Sequence, residues 1–168
     1  VLASKNFVVW TGAGISTNSG IPDFRGPDGK WTQIDEKRYN KTIGTKSIDA
    51  FPTTTHRALL ALLRKGHLKK IISSNTDGLH LRSGIHPDDL AELHGNSNKL
   101  RCDQCHRYYF MDKNVRVAPK AKLHDTAYKC LEPECGGTLC DTIINFGEYL
   151  HDEVSTKANA AGEEADLI

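Results

Sequence analysis

Apolar runs and polar loops alternate along the first half of the chain, and the spacing of the runs names the elements. Phe7-Val8-Val9-Trp10 is a continuous apolar run bounded by turn residues, the pattern of a short buried strand. It hands over to Thr11-Gly12-Ala13-Gly14-Ile15-Ser16, and a helix is predicted to start near Ile15. Ala58, Leu59, Leu60, Leu62 and Leu63 make one broad apolar face between Pro52-Thr53 and Gly66, which predicts a capped helix. Residues 67–73 read as a second strand and residues 90–93 as a third. Residues 139–145 resume the pattern after an interruption, and 153–164 is predicted to be a surface helix with Val154, Ala158 and Ala161 facing inward. Residues 165–168 read as a strand just beginning, so the chain is expected to be a fragment.

Strand, glycine turn, helix, strand, strand is the order of an open α/β sheet, which binds ligands at the carboxyl ends of its strands. Four polar clusters fall at that edge. The glycine turn is the first: Gly12 and Gly14 let backbone approach an anion closely, and the free N–H groups of a following helix would aim at it. A tight structural turn accounts for the spacing equally well, because the third glycine of the usual dinucleotide fingerprint is missing. The second is Pro22-Asp23-Phe24-Arg25-Gly26, which puts a carboxylate, a ring and a guanidinium on one constrained loop. Ser74-Asn75-Thr76-Asp77-Gly78 follows the second strand, and His94-Gly95 follows the third. An amide and a carboxylate there can hold a carboxamide or ribose hydroxyls, and a neutral histidine can take a hydroxyl proton. Each also has a plainer account, since Asn-x-Asp-Gly is ordinary turn chemistry and a lone histidine is usually a hydrogen-bonded structural residue. Four such clusters at one edge are hard to explain as packing. His56, His67, His80, His86, His124 and His151 lack that context and are assigned no role.

Between residues 96 and 140 cysteines replace the α/β pattern. Cys102 and Cys105, then Cys130 and Cys135, form two close pairs separated by 24 residues, a spacing that suits one structural zinc held by four thiolates. Disulfides are not expected in a soluble intracellular chain, which is how the absence of a leader pattern and of any membrane-spanning apolar stretch is read. Cys140 reads as a small core residue or a substitute ligand, and His106 as another. The 168 residues and net charge of +1 suit one domain with a small insert and give no global drive toward nucleic acid. Residues 99–129 hold eight Lys or Arg against three Asp or Glu, whereas 131–168 hold one Lys against nine acidic residues. A solvated insert beside a solvated acidic helix explains this more simply than a patch built for an anionic partner.

Taken together, Thr11 to Ser16, Gly20 to Pro27 with Gly29 and Trp31, Asn75-x-Asp77-Gly78-Leu79-His80, Leu93-His94-Gly95-Asn96, the four cysteines and Asn145-Phe146-Gly147-Glu148 resemble the sirtuins, NAD-dependent protein deacylases, over essentially the whole chain. Trp31-Thr32 and the segments 78–84 and 91–96 are most similar to the nuclear, chromatin-associated branch, and Phe146-Gly147-Glu148 to its nucleolar member. The resemblance implies an α/β fold: a Rossmann-like parallel sheet, residues 1–98 and 139–168, incomplete at its C-terminal side, with a small inserted zinc-binding module at 99–138. NAD and an acyl-lysine peptide would meet in the cleft between them. Gly12, Ala13, Gly14, Ser16, Asp23, Arg25, Trp31 and Ser74 would line the NAD, and Phe24 would shield the reacting ribose carbon. Asn75 would hold ribose and a water, Asp77 would grip the nicotinamide carboxamide, and His94 would be the general base, which makes these three the implied catalytic set. Asn145, Phe146, Gly147 and Glu148 would pair with substrate backbone as an added strand. In the implied reaction the acyl oxygen attacks the ribose carbon as nicotinamide leaves, His94 deprotonates a ribose hydroxyl that attacks the resulting imidate, and water then gives free lysine and O-acyl-ADP-ribose. The implied partner is an acyl-lysine protein, histones included, with chromatin association and a nuclear location following from the branch.

Two departures from the family pattern matter. Ser74 stands where the family carries Gln and is too short for the same reach, which implies a weaker hold on NAD. The family's strand and Gly-Ser loop for the adenosine half of NAD are expected beyond the last residue here. An NAD- or ADP-ribose-sensing or chromatin-docking module, and a mono-ADP-ribosyltransferase, are the alternative readings.

Overall fold

The apolar runs become strands that are covered on both faces. A computed structural model describes residues 3–38, 44, 46–117 and 123–168; Lys120 and Lys122 of the basic insert lie outside the described residues. Strands β1 (Phe7–Thr11), β2 (Leu68–Ser73) and β3 (Leu90–Glu92) lie in the order β1-β2-β3, all parallel. Leu167 adds a parallel bridge to Phe7 at the free edge of β1, where Val8 N–H donates to the Leu167 carbonyl at 2.9 Å.

Successive residues of a strand point to opposite faces, so adjacent isoleucines in β2 serve two cores. Ile71 packs with Leu59 and Leu68 and with Leu60, Leu62 and Leu63, the apolar stripe of α2 (Thr54–Arg64). Ile72 packs with Val8, Ala91 and Leu93 against Ala158 and Ala161 of α4 (Asp152–Glu164), with Val154 alongside. The inner face expected for the last helix is the one observed. Helix α2 is capped as its sequence suggests: the Thr53 side chain accepts from the His56 N–H, and Gly66 leaves the helix at φ 72°. Two short helices, α1 (Lys30–Asp35) and α3 (Leu79–Arg82), sit in the loops.

Two expectations change. The helix predicted near Ile15 is a 3-10 helix, Ala13–Ser19, that ends at left-handed Gly20. Ser16, Thr17, Asn18 and Ser19 compete for backbone hydrogen bonds, and no apolar repeat is long enough to sustain an α-helix. Residues 139–145 do not rejoin the parallel sheet. Strand β7 (Thr138–Asp141) lies in a second, antiparallel sheet of order β5-β4-β7-β6 with β4 (Lys99–Cys102), β5 (Tyr108–Phe110) and β6 (Asp125–Lys129). In β7 only Leu139 and Asp141 are buried, and a strand with one wet face suits an antiparallel sheet rather than a parallel one. The antiparallel sheet thus runs on to Asp141, with a small core of Leu100, Cys102, Val115 and Leu139. No helix among the described residues is long and apolar enough to cross a membrane.

Candidate functional site

The loops leaving β1, β2 and β3 interlock at the carboxyl edge of the parallel sheet. Ser74 N–H and its hydroxyl both donate to the Thr11 carbonyl, at 3.1 and 3.2 Å, so the side chain standing in place of Gln turns back onto β1. Asn75 Nδ2 donates to the Gly12 carbonyl at 3.0 Å, which ties the second loop to the glycine turn. Ser16 is 1% exposed and donates its hydroxyl to Asp77 Oδ2 at 2.6 Å, while Leu79 N–H donates to Asp77 Oδ1 at 2.9 Å. Ser16 therefore positions the Asp77 carboxylate from inside the protein.

His94 is exposed at the end of β3, with Nδ1 3.1 Å from the Ser74 carbonyl. A carbonyl can only accept, so Nδ1 carries a proton, and the neutral ring in this tautomer has its lone pair on Nε2, the form a general base needs. Gly95 fixes the approach of the third loop to the linker beyond the antiparallel sheet. Its φ is 76°, and a Cβ there would lie 1.7 Å from the Thr142 carbonyl oxygen. The same contact zone lets Ile144 N–H donate to the His94 carbonyl at 3.2 Å.

The Asp23 loop folds around its own carboxylate. Gly26 N–H donates to Asp23 Oδ1 at 2.9 Å, and a Cβ on Gly26 or Gly29 would come within 2.3 or 2.6 Å of the Asp23 carboxylate. The loop then presents Phe24, half exposed, stacked on Trp31 with centroids 6.5 Å apart. Trp31 meets Phe146 at 6.2 Å, so a ring expected to face cofactor and a ring expected to face substrate share one apolar wall. Arg25 pairs instead with Asp35 at 3.6 Å, both well exposed, a contact worth little in energy. At Gly14 a Cβ would meet nothing within 4 Å, so backbone there is open to a ligand.

Behind this edge lies a pair of buried histidines that the sequence reading left without a role. His80 Nε2 is 2.9 Å from Thr11 Oγ1, and His56 Nδ1 accepts from Thr53 N–H at 3.2 Å, with ring centroids 4.8 Å apart. His56 Nε2 and His80 Nδ1 are buried with no hydrogen-bond partner. Burial lowers the pKa of both, and for His80, with His56 beside it, to about 3, so the pair is neutral at physiological pH. Thr53 and His56 stand at capping-box spacing, a signal open to sequence reading; nothing comparable marks His80.

The four cysteines converge. Their sulfurs all lie within 4.8 Å of one another, with Cys102 to Cys135 and Cys105 to Cys130 each at 3.6 Å. Tetrahedral zinc with bonds of about 2.3 Å sets its sulfur ligands about 3.8 Å apart, so the donor set fits that ion. Cys140 is outside the cluster, with its thiol donating to Asp125 Oδ1 at 3.3 Å. At Gly137 a Cβ would lie 2.5 Å from Cys102 Sγ, which reserves the position for glycine.

A sequence profile of the Sir2 family matches residues 12–51 and 38–168. The chain belongs to the Sir2 family. NAD-dependent protein deacetylase SRT1 of Oryza sativa subsp. indica is 44% identical over 171 residues, covering 100% of this chain and 34% of that protein. Human NAD-dependent protein deacetylase sirtuin-7 is 40% identical over 147 residues, 86% of this chain and 36% of its own length. An NAD-dependent protein deacetylase of Sulfolobus acidocaldarius is 35% identical over 183 residues, covering 100% of this chain and 69% of that protein. This Sir2 chain thus spans about a third of the plant and animal relatives. A solved Sir2 homologue in complex with ADP-ribose superposes with TM-score 0.68 at 31% identity, over 98% of this chain and 68% of that one. A Sir2 protein with a deacetylated p53 peptide and 3′-O-acetyl ADP-ribose gives 0.66 at 31% identity, over 98% and 70%.

Proposed function

We propose that this Sir2 chain carries the catalytic part of an NAD-dependent protein-lysine deacylase that moves the acyl group to ADP-ribose and releases nicotinamide. The observation that carries the reading is His94: an exposed ring fixed by its Nδ1 bond to the Ser74 carbonyl, so that its neutral form keeps the lone pair on Nε2, one strand away from Asn75 and two from the glycine turn. NAD, when bound, supplies a ribose carbon whose bond to nicotinamide can break. Ala13, Gly14 and the backbone around them would receive its phosphates, and the openness at Gly14 suits that approach.

The roles of the remaining residues follow from what holds them. Asp77, kept in place by Ser16 and the Leu79 N–H, has lone pairs left to accept from a carboxamide. Asn75 orients a ribose hydroxyl or water, and Phe24 screens the reacting carbon from solvent. Phe24, Trp31 and Phe146 give the acyl chain an apolar wall. His94 Nε2 takes the proton of a ribose hydroxyl that attacks the acyl carbon. Asn145, Phe146, Gly147 and Glu148 offer backbone to an extended acyl-lysine peptide. The likeness to sirtuin-7, together with the segments 78–84 and 91–96, supports a nuclear, chromatin-associated protein with histones among its substrates. Incubating the full-length protein with NAD and an acetyl-lysine peptide tests the proposal: peptide-dependent nicotinamide release is expected, and its absence would overturn it.

A further inference from the structure

His124 is the residue through which the antiparallel sheet grips the 145–148 turn. Its Nδ1 lies 2.8 Å from Asp141 Oδ1 and its Nε2 lies 2.7 Å from Glu148 Oε1. The Asp141 side chain is fully buried and that of Glu148 is 11% exposed. Asp141 also accepts the N–H groups of Ile143 and Val117, and Glu148 Oε2 accepts the Asn145 N–H at 2.7 Å. Glu148 thereby closes the turn on itself while His124 ties it to β7. Ionised carboxylates only accept, so both ring nitrogens must donate, and only the imidazolium carries two N–H groups.

We propose that His124 is a positioning residue whose protonated form holds the 145–148 turn in the shape that receives substrate backbone, so that peptide binding, and not NAD binding, weakens as pH rises. The proposal rests on the deacylase reading for the identity of the peptide. Loss of the proton turns one ring nitrogen into a lone pair facing a carboxylate, which removes a charge-assisted hydrogen bond and replaces it with repulsion. Burial works against the charge on His124, but the hydrogen bonds it donates to Glu148 and Asp141, with their negative charge, outweigh it and raise the pKa above the ordinary histidine value. Among the described residues, the other charged groups around the cluster include Arg101 and Lys99 on β4 with Asp103 just after it, Asp125 on β6, Arg116, and His151 with Glu153 on the α4 side. Arg116 Nη2 donates to Asn145 Oδ1 at 3.0 Å, a second cation held against the same turn. A cavity of about 590 Å³ borders His124, Asp141 and Glu148 and gives the proton a path to solvent.

Steady-state kinetics of the full-length enzyme between about pH 6 and about pH 9 test this. Peptide KM should rise about tenfold across the range with NAD KM unchanged. His124→Gln should show the raised peptide KM at every pH, and His124→Arg, permanently charged, should keep it low and flat. A wild-type peptide KM that does not change with pH, or an unaltered pH profile in His124→Gln, would overturn the proposal. If the wild-type protein releases no nicotinamide at any pH, the deacylase reading fails while the clamp is still read directly by NMR. The Asn145 and Glu148 amide shifts should then titrate together with the His124 ring, above the ordinary histidine pKa, and amides that ignore that titration would overturn the clamp.

Discussion

Strand β2 buries Ile71 against α2 and Ile72 against α4, whereas β7 buries Leu139 on one side and leaves Cys140 in a half-wet setting. The parallel sheet draws its stability from apolar area on both faces. The antiparallel sheet has four buried core residues, two of its neighbouring contacts being the metal-site cysteines Cys130 and Cys135. The difference divides the site: the sheet that folds by burial carries the polar loops with Asn75, Asp77 and His94, and the sheet that carries the four cysteines holds the 145–148 turn. Damage to one should be separable from damage to the other.

The largest expected effect follows from removing the metal. Structural zinc contributes about 10–16 kcal/mol in small zinc-folded units, so a strong chelator, or Cys130→Ser, should unfold residues 99–141 while helical circular dichroism from α2 and α4 largely persists. Loss of all structure in one transition would break the comparison. Next comes Ile71→Ala, which hollows the core under α2 at a fully buried position and should cost about 2–5 kcal/mol in global unfolding by denaturant. Zinc content of the folded protein should be unchanged. Ser16→Ala is smaller, about 1–3 kcal/mol, because it leaves Asp77 Oδ2 without its buried hydroxyl donor. That loss should appear in NAD binding by calorimetry as well as in stability.

The most gradual effect is that of pH. His80 and His56 have folded pKa values below the ordinary 6.5, His80 at about 3, so the unfolded chain binds protons that the folded chain refuses. Stability is therefore full above about pH 6.5 and falls as pH drops toward 3, by at most about 1.4 kcal/mol per pH unit for each histidine. Thermal melts of wild type against His80→Gln should show the variant losing less between pH 6.5 and pH 4. Parallel curves would remove the buried pair from the account.

The three parallel strands, the helices α2 and α4 and the four-cysteine cluster were legible because each depends on a local pattern: apolar runs, a stripe at helical spacing, paired thiols. The polar ends of β1, β2 and β3 were legible for the same reason, since parallel strands deliver their last residues to one edge. What sequence spacing could not convey was long-range pairing. Ser16 reads as a ligand contact by position, yet its hydroxyl is spent on Asp77, 61 residues away. The roles of His80 and His124 could not be read from their neighbours in sequence, because Thr11, His56, Asp141 and Glu148 reach them only through the folded sheets. Residues 139–145 were misassigned because they read as one segment, and only the pairing of Leu139, Cys140 and Asp141 with β4 shows that the first part belongs to the antiparallel sheet.

The central claim is that His94, held by its Nδ1 bond to Ser74, acts as base after nicotinamide has left. In the full-length protein, His94→Ala should lose about 10²–10⁴-fold in deacylation turnover with zinc content and fold intact. Exchange of labelled nicotinamide into NAD in the presence of acetyl-lysine peptide should survive the same substitution. Deacylation at the parental rate in His94→Ala would show that the histidine at the sheet edge is structural and would contradict the account.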